Sequence, residues 1–419
     1  TDKKNSSADI SPTAGQMPRL LGLAYASKLY RNNPALADLN DFSINGNEIA
    51  FGTIGNASTS EGHFWETMNA AGVLQVPMIM SVWDDAYGIS VPQKYHTIKE
   101  SISEALSGFQ KTKNKNGFEI LVAKAWDYPE LLKTYQKATE IARKKHIPVL
   151  IHVIEVTQPQ GHSTSGSHER YKSKDRLEWE KEHDCILKMS EWIVDEGMAT
   201  QEELDALTKE AKQAAKSAKD AAWKAYSLEI KKDVEEAASL IEKAGIYSTV
   251  NDKVAAIASI LRKELNPEKS HIMRTVKQSL RVLKHEDSAE KQNLISWLSN
   301  KADQYEEQFS SKLYSTSSDS ALNVSTIPAE YDEESKVVDG RDVLNACFEH
   351  LLESDPKIFA FGEDVGKIGD VNQGFAGLQD KYGDLKVTDT GIRETTSIGQ
   401  GIGAAIRGLR PIAEIQYLD

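Results

Sequence analysis

The segment TIGNASTSEG, residues 53–62, sets Gly55, Asn56 and Ala57 after a short apolar run and before Ser58, Thr59, Ser60 and Glu61. Glycine lets the backbone approach a ligand closely, and Ser58 with Glu61 matches the S/T-x-x-E capping box that starts a helix. A strand, a turn and a helix N-terminus in that order suit a phosphate, because the first helical N–H groups are unpaired and the dipole favours an anion. Asp84 and Asp85 follow Trp83 about 30 residues later, the length of one βαβ unit. If the two strands are neighbours, Asn56 and Asp85 meet at their carboxyl ends, where open α/β sheets bind ligands. An amide oxygen and a carboxylate, completed by phosphate oxygens, make a suitable Mg²⁺ site. The plainer alternative is a turn asparagine and a solvated pair of acids.

Two further stretches carry reactive side chains. GHSTSGSHERY (161–171) is a polar loop after an apolar run, and His162 could reach the same sheet edge. DTGIRETTSIGQGIGAA (389–405) places Glu394 where a strand gives way to a helix, a position that acids also take for dipole reasons alone. Gly399, Gly401 and Gly403 fall inside that helix and do not follow a strand as GxGxxG, so close helix packing explains them better than a dinucleotide site.

The elements that must hold these residues alternate. EIAFGTI (48–54), PMIMSVW (77–83), FEILVA (118–123) and IPVLIHVIEV (147–156) are apolar runs of strand length, and residues 61–74, 97–109 and 129–145 carry helical spacing. That alternation implies a parallel sheet with helices on both faces. Residues 176–312 are charged, Ala- and Lys-rich and helical, and 313–336 are Ser- and acid-rich, the composition of an exposed linker. A second α/β portion begins near 337. It places Val343, Leu344, Cys347, Phe348, Leu351 and Leu352 on one helical face, followed by the strands KIFAF, KVTDT and PIAEIQY. The expected architecture is two α/β domains, 1–175 and 337–419, joined by a helical region and a linker, with both ends of the chain cut.

Bulk composition narrows the partners. The 419 residues carry 50 basic and 63 acidic side chains, a net charge of −13 that opposes nucleic acid and anionic lipid. No apolar run reaches the roughly 18–20 residues of a membrane span. Cys185 and Cys347 lie far apart without CxxC spacing, so neither a disulfide framework nor a zinc site is indicated, and a reducing cytoplasm is the expected location.

SPTAGQMP (11–18), GNASTSEG (55–62), WDDAYGIS (83–90), GHSTSGSHERY (161–171), GEDVG (362–366), DTGIRE (389–394) and GLRPIAEIQ (408–416) together resemble the decarboxylating component of 2-oxo acid dehydrogenase complexes. The resemblance spans about 8–200 and 336–419 and implies two thiamine-diphosphate-binding folds, the α-like and β-like portions fused in one chain. By that match Asn56, Asp85 and the Tyr87 carbonyl would bind Mg²⁺. Gly55, Asn56, Ala57 and Ser58 would cradle the diphosphate. Amide and carboxylate have traded places relative to the family, and Ala57 replaces a common glycine, which requires negative φ there. Ser11 and Thr13 match positions on the aminopyrimidine side, and His162 matches a histidine at the active-site entrance. Ser163 and Ser165 lie where some relatives are phosphorylated. Glu394 matches the glutamate that hydrogen-bonds the pyrimidine ring. The implied activity is oxidative decarboxylation of pyruvate or a branched-chain 2-oxo acid, with acyl transfer to a lipoyl domain and a homodimer as the working form. A transketolase-like transferase and a non-catalytic assembly subunit are the alternatives.

Overall fold

The four apolar runs form one parallel sheet. The computed structural model describes residues 12–162, 168–310, 317–318 and 320–417. It contains β1 (Ala50–Gly55), β2 (Met78–Trp83), a short antiparallel pair β3 (Tyr87–Gly88) and β4 (Val91–Pro92), then β5 (Glu119–Lys124) and β6 (Val149–Ile154). The main sheet has the order β1-β2-β6-β5, all parallel. The internal strands β2 and β6 are buried on both faces, whereas the edge strand β1 alternates, as expected where helices cover a parallel sheet.

Helices α1 (Met17–Asn32) and α2 (Gly62–Leu74) cover one face, burying Leu21, Phe64, Met68 and Met80 in one cluster. The segment 97–109 does not form one helix. Lys99 and Glu100 take positive φ of 60° and 52°, which breaks it into single turns around the four-residue α3 (Ile102–Ala105). On the other face α4 (Tyr128–Lys145) packs Ala138 and Ala142 against Ile79, Val149 and Ile151. Two shorter helices follow, α5 (Lys174–Glu182) and α6 (Cys185–Asp195).

The chain divides into two compact units, Thr1–Ala199 with Ser335–Asp419, and Thr200–Glu334. The second unit is helical: α7 (Gln201–Gly245), α8 (Asn251–Lys263), α9 (Lys269–Val282) and α10 (Ala289–Ser310). Thr200 and Glu203 cap α7 with a reciprocal capping box. The core of this unit gathers Ile230, Val234, Ile241, Val254, Ile272 and Leu294. Residues 322–340 are exposed throughout.

The later part of the first unit contains α11 (Gly340–Ser354), β7 (Ile358–Gly362), α12 (Leu378–Tyr382), β8 (Val387–Asp389), α13 (Glu394–Ile406) and β9 (Arg410–Ala413). Its strands are parallel in the order β8-β7-β9. The apolar face of α11 is used only in part: Leu352 is buried with Phe348 and Leu351 packed beside it, while Val343 and Leu344 are 59% and 52% exposed.

Within the first unit, α13 lies directly on α1. A Cβ at Gly403 would come within 2.1 Å of the Arg19 carbonyl oxygen, one at Gly22 within 2.1 Å of the Gln400 carbonyl oxygen, and one at Gly399 within 2.2 Å of Pro18 Cβ. Gly403 and Gly22 therefore serve backbone-to-backbone contact, which only a missing side chain permits, and Gly399 makes room for Pro18. Arg407, buried after the end of α13, locks the contact. It donates to the Leu23 and Phe42 carbonyls, to Ser27 Oγ at 3.0 Å and to Glu48 Oε2 at 2.9 Å. Phe359, Phe361 and Ala404 thereby join the same apolar cluster as α1 and α2. No helix among the described residues is long and apolar enough to cross a membrane.

Candidate active site

Strand pairing brings the first two candidate residues to one sheet edge. β1 and β2 run parallel with Gly55 opposite Trp83, and the Asn56 N–H donates to the Trp83 carbonyl at 3.0 Å. Asn56 and the Asp84-Asp85 pair therefore leave adjacent strands at their carboxyl ends, the edge at which open α/β sheets bind ligands. Asn56 is 3% exposed, and its Nδ2 is buried without a hydrogen-bond partner.

The two aspartates have different surroundings. Asp84 Oδ2 accepts from His152 Nε2 at 2.9 Å and from Gln93 Nε2 at 2.7 Å, and Oδ1 accepts the Ala86 N–H at 2.8 Å. His152, on β6, is fixed in turn by Ser103 Oγ, 2.8 Å from its Nδ1. Burial alone would push the Asp84 carboxyl up, but these hydrogen bonds outweigh it and hold the group below the ordinary aspartate range. Both Asp84 oxygens are thus occupied by the protein. Asp85 Oδ1 accepts the Tyr87 N–H at 3.1 Å, and burial raises its pKa against the opposing pull of that hydrogen bond and of Lys172.

A buried ion-pair cluster holds the loop from the far side. Lys172 Nζ donates to both oxygens of Glu180 at 2.7 and 2.9 Å, and Arg176 Nε reaches Glu180 Oε1 at 2.9 Å. Arg176 Nη2 then donates to the Asp85 carbonyl at 3.1 Å, and Lys172 Nζ sits 5.3 Å from the centre of the Tyr87 ring. Tyr87 also packs on Tyr171, with ring centres 5.6 Å apart.

The turn after β1 departs from the capping expectation. Residues Ala57–Ser60 tighten into a 3₁₀ turn, α2 starts at Gly62, and Glu61 is its N-cap without a side-chain hydrogen bond. The hydroxyls are used elsewhere: Thr59 Oγ1 donates to the Asn56 carbonyl at 2.6 Å, and Ser60 Oγ to the His96 carbonyl at 2.9 Å. No Ser58–Glu61 box forms, and no side chain caps the start of α2, so an anion can still take that place. Ala57 is not among the residues with positive φ, so its side chain is tolerated. Gly55 is exposed and Ser58 half-buried.

The other candidates are scattered. Thr13 is exposed in the turn before α1, and Ser11 lies outside the described residues. His162 is exposed after Gly161, and Ser163 and Ser165 also lie outside the described residues. Glu394 is the exposed first residue of α13. The first turn of α13 is tied to α2 by a hydrogen bond from Thr396 Oγ1 to Glu66 Oε2. Among the described residues no hydrogen bond or ion pair joins Glu394 to Asn56, Asp85 or His162.

The donors at the β1–β2 edge fit a hard cation bound together with an anion. They comprise the buried Asp85 carboxylate, the side-chain oxygen of the buried Asn56 amide and the backbone carbonyl of Tyr87, while the unpartnered Asn56 Nδ2 is a hydrogen-bond donor that suits the anion. Among the described residues no three His, Cys, Asp or Glu side chains cluster as a metal site. A cation here would therefore need oxygens from its ligand, as Mg²⁺ does when it binds with phosphate.

Residues 3–232 match the family described as "Dehydrogenase E1 component", more than half of the 419 residues. The chain belongs to that family, the thiamine-diphosphate-dependent 2-oxo acid dehydrogenases. Residues 336–419 match the pyrimidine binding domain of transketolase, so the two-fold architecture expected from the motifs holds. A 2-oxoisovalerate dehydrogenase subunit beta of Bacillus subtilis is 44% identical over 78 residues, 19% of this chain and 24% of that subunit. A pyruvate dehydrogenase E1 component subunit beta of Acholeplasma laidlawii is 46% identical over 76 residues, 18% of this chain and 23% of that subunit. The chain thus spans about a quarter of the length of these curated relatives. A transketolase of Campylobacter jejuni superposes with a TM-score of 0.43 at 15% identity, covering 96% of this chain and 47% of that one.

Several residues around the site escape sequence reasoning. His152 is separated from Asp84 by 68 positions, and Arg176 from Asp85 by 91. The i,i+4 pair Arg176–Glu180 is a readable helical signal, but nothing in it points to Asp85. His96 lies just before the segment that reads as helical, at the end of the short turn Gln93–Tyr95, and Ser60 Oγ holds its carbonyl beside the turn that follows Asn56.

Proposed function

We infer that the protein decarboxylates a 2-oxo acid, pyruvate or a branched-chain one, and passes the acyl group to the lipoyl domain of an acyltransferase core, using thiamine diphosphate and Mg²⁺. The observation that carries this reading is the pair of loops at the β1–β2 edge. There Asp85 stays buried while both Asp84 oxygens are engaged, and the buried Asn56 amide carries an unpartnered Nδ2 donor suited to an anionic oxygen. Asn56, Asp85 and the Tyr87 carbonyl would hold Mg²⁺, and Gly55 to Ser58 with the uncapped start of α2 would receive the diphosphate. When bound, thiamine diphosphate supplies an electron sink for the carbanion left by loss of CO₂. Glu394 would hold a proton against the pyrimidine ring, and His162 would line the entrance. The names of the curated relatives support both substrate classes equally.

We propose a homodimer as the working form, in keeping with the absence, among the described residues, of any hydrogen bond or ion pair between Glu394 and Asn56 within one chain. Light scattering of the active protein tests this, and an active monomer would refute it. The activity is tested by release of CO₂ from pyruvate and from branched-chain 2-oxo acids in the presence of a lipoyl domain. Acylation of the lipoyl group is the expected result. Ketol transfer between sugar phosphates without lipoyl acylation would favour the transketolase-like alternative instead.

A further inference from the structure

His96 has no part in the reading above, yet its ring ends at the same pair of loops. Nε2 is buried without a hydrogen-bond partner, while Nδ1 lies 2.8 Å from Thr97 Oγ1. A Cβ placed on Gly88 would lie 2.7 Å from Ala57 Cβ, 3.7 Å from His96 Cδ2 and 3.9 Å from His96 Nε2. The Nε2 edge of the ring therefore faces the point where the 56–58 turn meets the β3 strand. Ser60 Oγ, donating to the His96 carbonyl at 2.9 Å, pins the two loops together. Asn56, which opens that turn, is 3% exposed and holds a second orphaned nitrogen, Nδ2. A buried polar nitrogen left without a partner is costly, and two such nitrogens lie in loops that Ser60 ties together.

We propose that His96 is a further binding residue of this site, donating its Nε2–H to an anionic oxygen, the diphosphate of the cofactor, held over the Asn56 turn. The proposal rests on the functional reading above and adds a protein donor to it. The Thr97 hydroxyl serves as the partner that makes this possible: when it donates to Nδ1, the ring proton resides on Nε2, the nitrogen facing the loops. His96 acts by binding and orientation, and no proton transfer is assigned to it.

The test uses the full chain and magnesium pyrophosphate, a probe that needs only the diphosphate half of the site. Calorimetric titration compares wild type, His96→Ala, His96→Gln and Asp85→Asn, with the melting temperature of each recorded without ligand. Removing His96 should weaken binding about tenfold or more, the scale for losing a hydrogen bond to a charged acceptor. His96→Gln, whose amide restores an N–H donor, should stay within about threefold of wild type. In protein labelled with ¹⁵N-histidine, magnesium pyrophosphate should shift the His96 Nε2 resonance. If His96→Ala binds as wild type does while Asp85→Asn fails to bind, the role of His96 is overturned and the proposed function stands. If wild type itself does not bind, both fall. Should His96→Ala fail to fold, the resonance decides, and an Nε2 signal unmoved at saturating probe overturns the proposal.

Discussion

His152 and Asp84 lie 2.9 Å apart at the carboxyl ends of the neighbouring strands β6 and β2, both buried, and their bond separates two adjacent aspartates into different roles. Asp84 becomes a structural anchor for the loop. Asp85 is left as the carboxylate that a cation can use.

Asp84→Asn should therefore destabilise the protein by about 1–3 kcal/mol, the range for leaving buried partners unsatisfied. The sign of its pH dependence follows from the depressed pKa of Asp84. Its contribution is present above the unfolded carboxylate value, about 4, and is lost as pH falls through the lower folded value. Urea unfolding at several pH values checks this: the gap between wild type and Asp84→Asn should be widest near neutrality and shrink in acid.

Gly403→Ala should cost about 3 kcal/mol, the upper end of overpacking penalties, because the new methyl meets the Arg19 carbonyl oxygen and the Leu23 nitrogen, both backbone atoms that cannot rotate away. Thermal unfolding would show it. Gly391→Ala, at a glycine with open space around its would-be Cβ, should leave the melting temperature nearly unchanged and serves as the control.

The helix-packing role of Gly399 and Gly403 was legible in the sequence, because glycines inside a helix-like run, away from any strand end, have little else to do. The strands were legible too, since β2 and β6 are apolar on both faces and bounded by Gly, Pro or polar residues. The capping box at Ser58 was not realised, because Thr59 and Ser60 turn their hydroxyls to nearby carbonyls and tighten the chain into a 3₁₀ turn first. The support of Asp84 and Asp85 was hidden for a different reason. His152, Arg176 and Lys172 reach those residues only through the tertiary fold, and no local spacing records such contacts.

Glu394→Gln should leave the fold intact, since the side chain is exposed at the start of α13. Turnover should fall by about 10² or more, the usual scale for losing acid–base assistance, while cofactor binding is largely kept. Steady-state assays beside calorimetry would separate the two effects. Unchanged turnover would reduce Glu394 to an acid that merely suits a helix N-terminus.

Asp85→Asn should raise the melting temperature of the ligand-free protein, because burial lifts the Asp85 pKa and its ionisation opposes folding as pH rises through the unfolded value. Differential scanning calorimetry near pH 7 without metal or cofactor measures this. A lower melting temperature would mean that the Asp85 charge is satisfied within the protein.

Asn56 and Asp85 are proposed to form one Mg²⁺-dependent diphosphate site with a single protein carboxylate. Calorimetric titration of thiamine diphosphate, with and without Mg²⁺, into wild type, Asp85→Asn and Asn56→Asp tests it most directly. The account predicts Mg²⁺-dependent binding in wild type, its loss in Asp85→Asn and its retention in Asn56→Asp. Binding that ignores Mg²⁺, or equal affinity in all three proteins, would contradict it.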